Sequence, residues 1–117
     1  MSKTSMALII KFALTFGAAA IAFYFIDGNT WGWVFSVALV GTILNYVIGD
    51  LGVLPKFGNI VASVGDGALG ALTAYFFSFI FPTFVTSWTS LLTFAIIIMV
   101  AEFFFHMYLA KSDKVAP

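Results

Sequence analysis

Four long apolar stretches run along the chain, at positions 6–26, 31–49, 60–81 and 88–109, separated by short polar punctuation. Each is close to the about 20 residues that a helix needs to cross the ~30 Å hydrocarbon layer of a bilayer. The breaks have turn chemistry. Asp27-Gly28-Asn29 separates the first two stretches, Pro82 opens the break before the fourth, and Pro55 with Gly58-Asn59 interrupts the centre. Pro55 cannot continue a helix, Gly49 and Gly52 loosen the end of the second stretch, and Asn59 is placed to cap the third. The pattern predicts an all-α chain: one domain over 1–117, four transmembrane helices in an up-down bundle, with no sizeable region outside them.

The polar residues inside these stretches are few and fall at one depth. A charge at the centre of a membrane helix costs roughly 2.5–3.5 kcal/mol on insertion scales, so each such residue needs a partner or a role. At ~1.5 Å per residue, Lys11 on the first stretch, Asp66 on the third and Glu102 on the fourth converge on a layer about 7–11 Å beneath the same interface, and Asn45 on the second falls near it. Helical spacing assigns faces: Lys11, Thr15, Ala18 and Ala22 on the first helix, and Ala38, Gly41, Thr42, Asn45 and Gly49 on the second. The third carries Ala62, Asp66, Gly70 and Ala74 beside Ser63, Gly67 and Ala71. Such rows of small residues allow helices to approach closely in membranes, either within the chain or against a second copy of it. The expected buried cluster is Lys11, Asn45, Asp66 and Glu102, with Asp50, Lys56 and His106 nearer the rim and Asp50 paired with Lys56 or Lys11. One ammonium facing two carboxylates leaves a negative charge over, so a carboxyl holds a proton or the site binds a cation.

Charge distribution gives the orientation. The chain has five basic residues, all of them lysine: Lys3, Lys11, Lys56, Lys111 and Lys114. None lies in the first or third break. By the positive-inside rule both termini and the central connection are cytoplasmic. Trp31, Trp33 and Trp88 then fall at the outer interface, and Tyr46 and Tyr108 near the inner one, as aromatic belts require.

Composition narrows the chemistry. With 62% hydrophobic and 9% charged residues and a mean hydropathy of +1.11, the chain exceeds the roughly 45–50% apolar usage of soluble domains. Net charge is zero and arginine is absent, which gives no basis for nucleic-acid binding. No cysteine means no disulfide, zinc-thiolate site or thiol nucleophile. No Gly-x-Ser-x-Gly elbow occurs, and the only histidine has no serine-acid constellation, so no enzyme is expected. Glu102 and His106, one turn apart, resemble half a metal site. With one histidine and no His-Glu-x-x-His motif, neither a metal nor another cofactor is expected. A signal peptide over the first stretch is disfavoured because Lys11 interrupts the run and three further stretches follow. The phenylalanines at 76, 77, 79, 81 and 103–105 read as lipid-facing.

The segment Val47-Ile48-Gly49-Asp50-Leu51-Gly52-Val53-Leu54-Pro55-Lys56-Phe57-Gly58-Asn59, followed by the small-residue helix with Asp66 and preceded by Ile10-Lys11-Phe12, resembles the signature of the YndM-like family of bacterial four-span membrane proteins. That resemblance implies a Gram-positive, often spore-forming source and a plasma-membrane location, and it implies no activity. The expected function is therefore a structural or accessory membrane protein whose buried cluster fixes the bundle. The alternative is a small proton- or cation-coupled transporter or channel using Asp66 and Glu102.

Overall fold

The computed structural model describes residues 3–112, and every regular element in it is helical. Helix α1 (Lys3–Ala19) widens into a π-helical segment, Ala20–Ile26. Helix α2 (Trp31–Leu44) likewise continues as a π-helical segment, Asn45–Val53, which runs directly into α3 (Leu54–Ile80). Helix α4 spans Trp88–Ser112. The side chains of Lys3 and Lys111, and all of Lys114, lie outside the described residues.

Three helical stretches are long and apolar enough to cross a membrane: Thr4–Ile26, Trp31–Ile80 and Trp88–Tyr108. The second has 50 residues, about 75 Å if straight, whereas the molecule measures 41 Å along its longest axis. It bends back at one residue. Gly58 has φ 87° and ψ 177°, a backbone state that a side chain disfavours, and α3 returns to pack on the π-helical segment before it. The segment expected to be a connection is thus helical up to this point. Pro55 stands at the start of α3, directly after the π-helical segment.

The interior divides into two zones. In one half Phe23, Val34, Val37, Ala74, Phe84 and Phe94 form an apolar core, with the Phe23 ring 5.4 Å from Phe84 and 5.0 Å from Phe94. Above it Asn29 ties two turns together. Its amide donates to the Phe23 carbonyl at 3.0 Å and the Val85 carbonyl at 2.8 Å, and its oxygen accepts from the Val85 N–H at 2.8 Å. Ser87 and Ser90 cap α4 reciprocally, each hydroxyl accepting from the other's backbone N–H at 3.1 and 2.9 Å. The other half holds the buried ionisable residues Lys11, Asp50, Asp66, Glu102 and His106.

The two small-residue rows of α3 are used inside the chain. Ala62, Ser63, Asp66, Gly67, Gly70 and Ala74 are buried. At Gly67 a Cβ would fall 2.6 Å from the Ala95 carbonyl oxygen on α4, and at Gly70 it would meet the Phe94 ring at 3.1 Å. Gly65, on the opposite side, has open space around it. Substituting Gly67 by Ala should therefore destabilise the protein by about 1–3 kcal/mol through overpacking against backbone. Gly65→Ala should leave stability equal or raise it by up to about 1 kcal/mol through helix propensity. Thermal unfolding of both variants in one detergent reads the difference in sign.

Candidate functional site

Every helical stretch contributes a charged side chain to one buried cluster. From α1, Lys11 sends its ammonium between two carboxylates, with Nζ 2.9 Å from Asp50 Oδ2 and 2.7 Å from Glu102 Oε1. Asp50 comes from the π-helical end of α2, Asp66 from α3, and Glu102 and His106 from α4. His106 faces the three acids with one nitrogen: Nε2 lies 3.1 Å from Asp50 Oδ1, 3.1 Å from Asp66 Oδ2 and 3.5 Å from Glu102 Oε1. None of the five residues is more than 2% exposed. The Phe105 ring closes the other side of the ammonium, its centroid 4.9 Å from Nζ.

A second layer holds the histidine. His106 Nδ1 is 2.8 Å from Asn59 Oδ1 and 3.2 Å from Ser63 Oγ. Asn59 is itself oriented on both sides, its amide donating to the Phe103 carbonyl at 3.0 Å and its oxygen accepting from Ser63 Oγ at 2.9 Å. Asn59, expected to cap α3, thus uses its side chain to bridge α3 to α4 and to position the imidazole.

Three carboxylates share one ammonium and one imidazole here. Even with the ring charged, the count is one negative charge over, and with the ring neutral it is two. Glu102 Oε2, although buried, has no hydrogen-bond partner. Low-dielectric surroundings strongly penalise such an imbalance, so a proton on a carboxyl or a bound cation completes the cluster.

The profile of the family described as "Protein of unknown function (DUF2512)" matches residues 2–115, essentially the whole chain. The chain belongs to that family. No curated protein and no solved structure matches it. The chemistry of this DUF2512 protein therefore has to be read from its own side chains.

Of the residues expected to share a buried cluster, Lys11 and Glu102 meet directly, and Asp66 joins them through His106. Asn45 is buried nearby on the chain, but its Oδ1 has no hydrogen-bond partner and no bond joins it to the cluster. Asp50 and His106, read as rim residues, are full members, at 0% and 2% exposure. Lys56 is exposed and makes no ion pair among the described residues; Asp50 takes Lys11 instead. Phe105, read as lipid-facing, is buried against the ammonium. The shift of Asp50 has a cause in the backbone. At about 100° per residue an α-helix would set Asp50 some 140° around from Asn45, whereas the wider π-helical turn brings Asn45, Gly49 and Asp50 to one buried face. Gly49 is required there, because a Cβ would overlap the Asp66 carboxylate.

Replacing Lys11 by Met strands three buried acids and should cost about 3–5 kcal/mol. Lys56→Met, an exposed lysine without a partner, should change stability by no more than about 0.5 kcal/mol. Denaturation midpoints of the two variants in the same micelles check this contrast.

Proposed function

We propose that this DUF2512 protein is a four-span protein of the bacterial plasma membrane, with both termini cytoplasmic, and that it is non-catalytic: its buried charge cluster is a structural tie that fixes helix register and holds the bundle in one arrangement. The observation that carries this reading is the enclosure of all five charged groups at no more than 2% exposure, with contacts spanning α1, the end of α2, α3 and α4. Two surface cavities, one beside Ile60 and Phe103 and one beside Tyr75 and Trp88, are lined by none of the five. Charges sealed in this way serve position better than passage.

The topology part of the proposal is supported by the lysine distribution and by the break in helical backbone at Gly58. The bacterial plasma membrane rests on the resemblance of residues 47–59 to the YndM-like family.

A transport reading draws support from one observation. Thr15 Oγ1, Thr42 Oγ1 and Asn45 Oδ1 are buried without hydrogen-bond partners on the α1 and α2 faces that lead outward from Lys11 and Asp50. Unsatisfied buried oxygens are places where a water file gains hydrogen bonds.

One measurement tests the topology and a second separates the two readings. The native chain lacks cysteine, so single cysteines at Phe57 and Thr83 should react with a membrane-impermeant maleimide from opposite faces of the membrane. In proteoliposomes driven by a proton or cation gradient, the wild type should give no flux above empty vesicles, and Asp66→Asn should lower the unfolding temperature. Flux that disappears in a folded Asp66→Asn variant would instead establish the carrier.

A further inference from the structure

The second layer around His106 assigns its tautomer. Asn59 donates through its amide to the Phe103 carbonyl, so its oxygen is what meets His106 Nδ1 at 2.8 Å. An oxygen acceptor requires a donor, and Nδ1 therefore carries the hydrogen. Nε2 is left as the ring's variable atom, and it points at Asp50 Oδ1, Asp66 Oδ2 and Glu102 Oε1 at 3.1, 3.1 and 3.5 Å. In a neutral ring this sets a lone pair against three carboxylate oxygens. A proton shared with a carboxyl or a bound cation makes that arrangement favourable, and an Nδ1–H locked to an outer carbonyl is the device by which proteins orient a metal-binding histidine.

We infer that Asp50, Asp66, Glu102 and His106 Nε2 form a site for one divalent first-row transition ion, with Lys11 as a fixed counter-charge beside it. Spacing, free donor atoms, charge and donor type all fit. The four candidate donor atoms all lie within 4.8 Å of one another. Donors bound about 2.1 Å from a common ion stand about 3.0–3.4 Å apart in octahedral or tetrahedral geometry, which matches the 3.1 Å separations of Nε2 from Asp50 Oδ1 and Asp66 Oδ2. The ammonium engages Asp50 Oδ2 and Glu102 Oε1, which leaves Asp50 Oδ1 toward the histidine and the buried Glu102 Oε2 without a hydrogen bond. Three carboxylates and one ammonium sum to two negative charges with a neutral imidazole, which a divalent ion cancels. One imidazole with carboxylates is a donor set for manganese, iron or zinc; magnesium and calcium take oxygen shells. Sequence reasoning set a metal aside because the chain has one histidine and no His-Glu-x-x-His motif; the other two donors, Asp50 and Asp66, come from outside the helix that carries Glu102 and His106.

The inference deepens the structural tie proposed above and is tested apart from it. Chelator-stripped full-length protein in detergent is titrated with Zn²⁺ and Mn²⁺, and with Mg²⁺ as the control, by calorimetry and thermal unfolding. The expected result is about one Zn²⁺ or Mn²⁺ per chain with a raised unfolding temperature, and no comparable effect of Mg²⁺. X-ray absorption of the zinc form should show one imidazole nitrogen among oxygen donors, a clear signature in a chain with one histidine and no cysteine. Asn59→Ala touches no donor atom and should weaken binding about 10–100-fold through loss of the outer hydrogen bond. His106→Gln should weaken it further. No saturable Zn²⁺ or Mn²⁺ binding by the folded wild type, or binding unchanged in a folded His106→Gln variant, overturns the site while leaving the tie intact if Lys11→Met is still destabilised. Stoichiometric binding in a protein whose Lys11→Met variant is fully stable overturns the tie and leaves the metal site.

Discussion

The Lys11 ammonium lies between Asp50 and Glu102 at 2.9 and 2.7 Å, and one half of the molecule is arranged around that contact. A lysine inside an apolar bundle is tolerable only where its charge is met, because the desolvation of an unpaired ammonium exceeds anything that packing at one site returns. Its two acids come from different stretches, and His106 connects them to Asp66 on a third. The helices therefore cannot slide or rotate independently without stranding a charge. The other half is held by close packing of Phe23, Phe84 and Phe94 beside the Asn29 knot.

Local backbone features make that contact reachable. The π-helical segment Asn45–Val53 turns Asp50 inward, and Gly49 leaves room for the Asp66 carboxylate. Gly58 reverses the chain in one residue, so that Asn59 is positioned at once to bond His106 and the Phe103 carbonyl. Gly67 and Gly70 bring α3 against α4 closely enough for Asp66 to reach Nε2. The resemblance-bearing segment 47–59 thus supplies three separate parts of the site: an acid, the space for another acid, and the residue that orients the histidine. Wide helical turns of this kind occur often at functional sites.

Much of this was legible from residue types. Lys11, Asp66 and Glu102 are charges inside apolar stretches at matching depth, and small-residue rows mark the face of α3 that packs tightly. Asp50 and His106 were misplaced toward the rim because depth was counted with a uniform helical rise and phase, and no sequence signal announces a π-helical turn. Asn59 read as a helix cap because its position after Gly58 is typical of one; that its side chain crosses to α4 depends on a packing that local sequence does not contain. Phe105 is one of three consecutive phenylalanines, and only the phase of α4 decides that it, not Phe103 or Phe104, turns to the ammonium.

The most direct test of the central claim is a double-mutant cycle on Lys11→Met and Asp50→Asn, with unfolding free energies of the wild type, both single variants and the double variant measured in one detergent. The account predicts that the double variant loses clearly less than the sum of the singles, with a coupling of at least about 1 kcal/mol. Additivity within about 0.3–0.5 kcal/mol would contradict it, since the two charges would then be contributing independently.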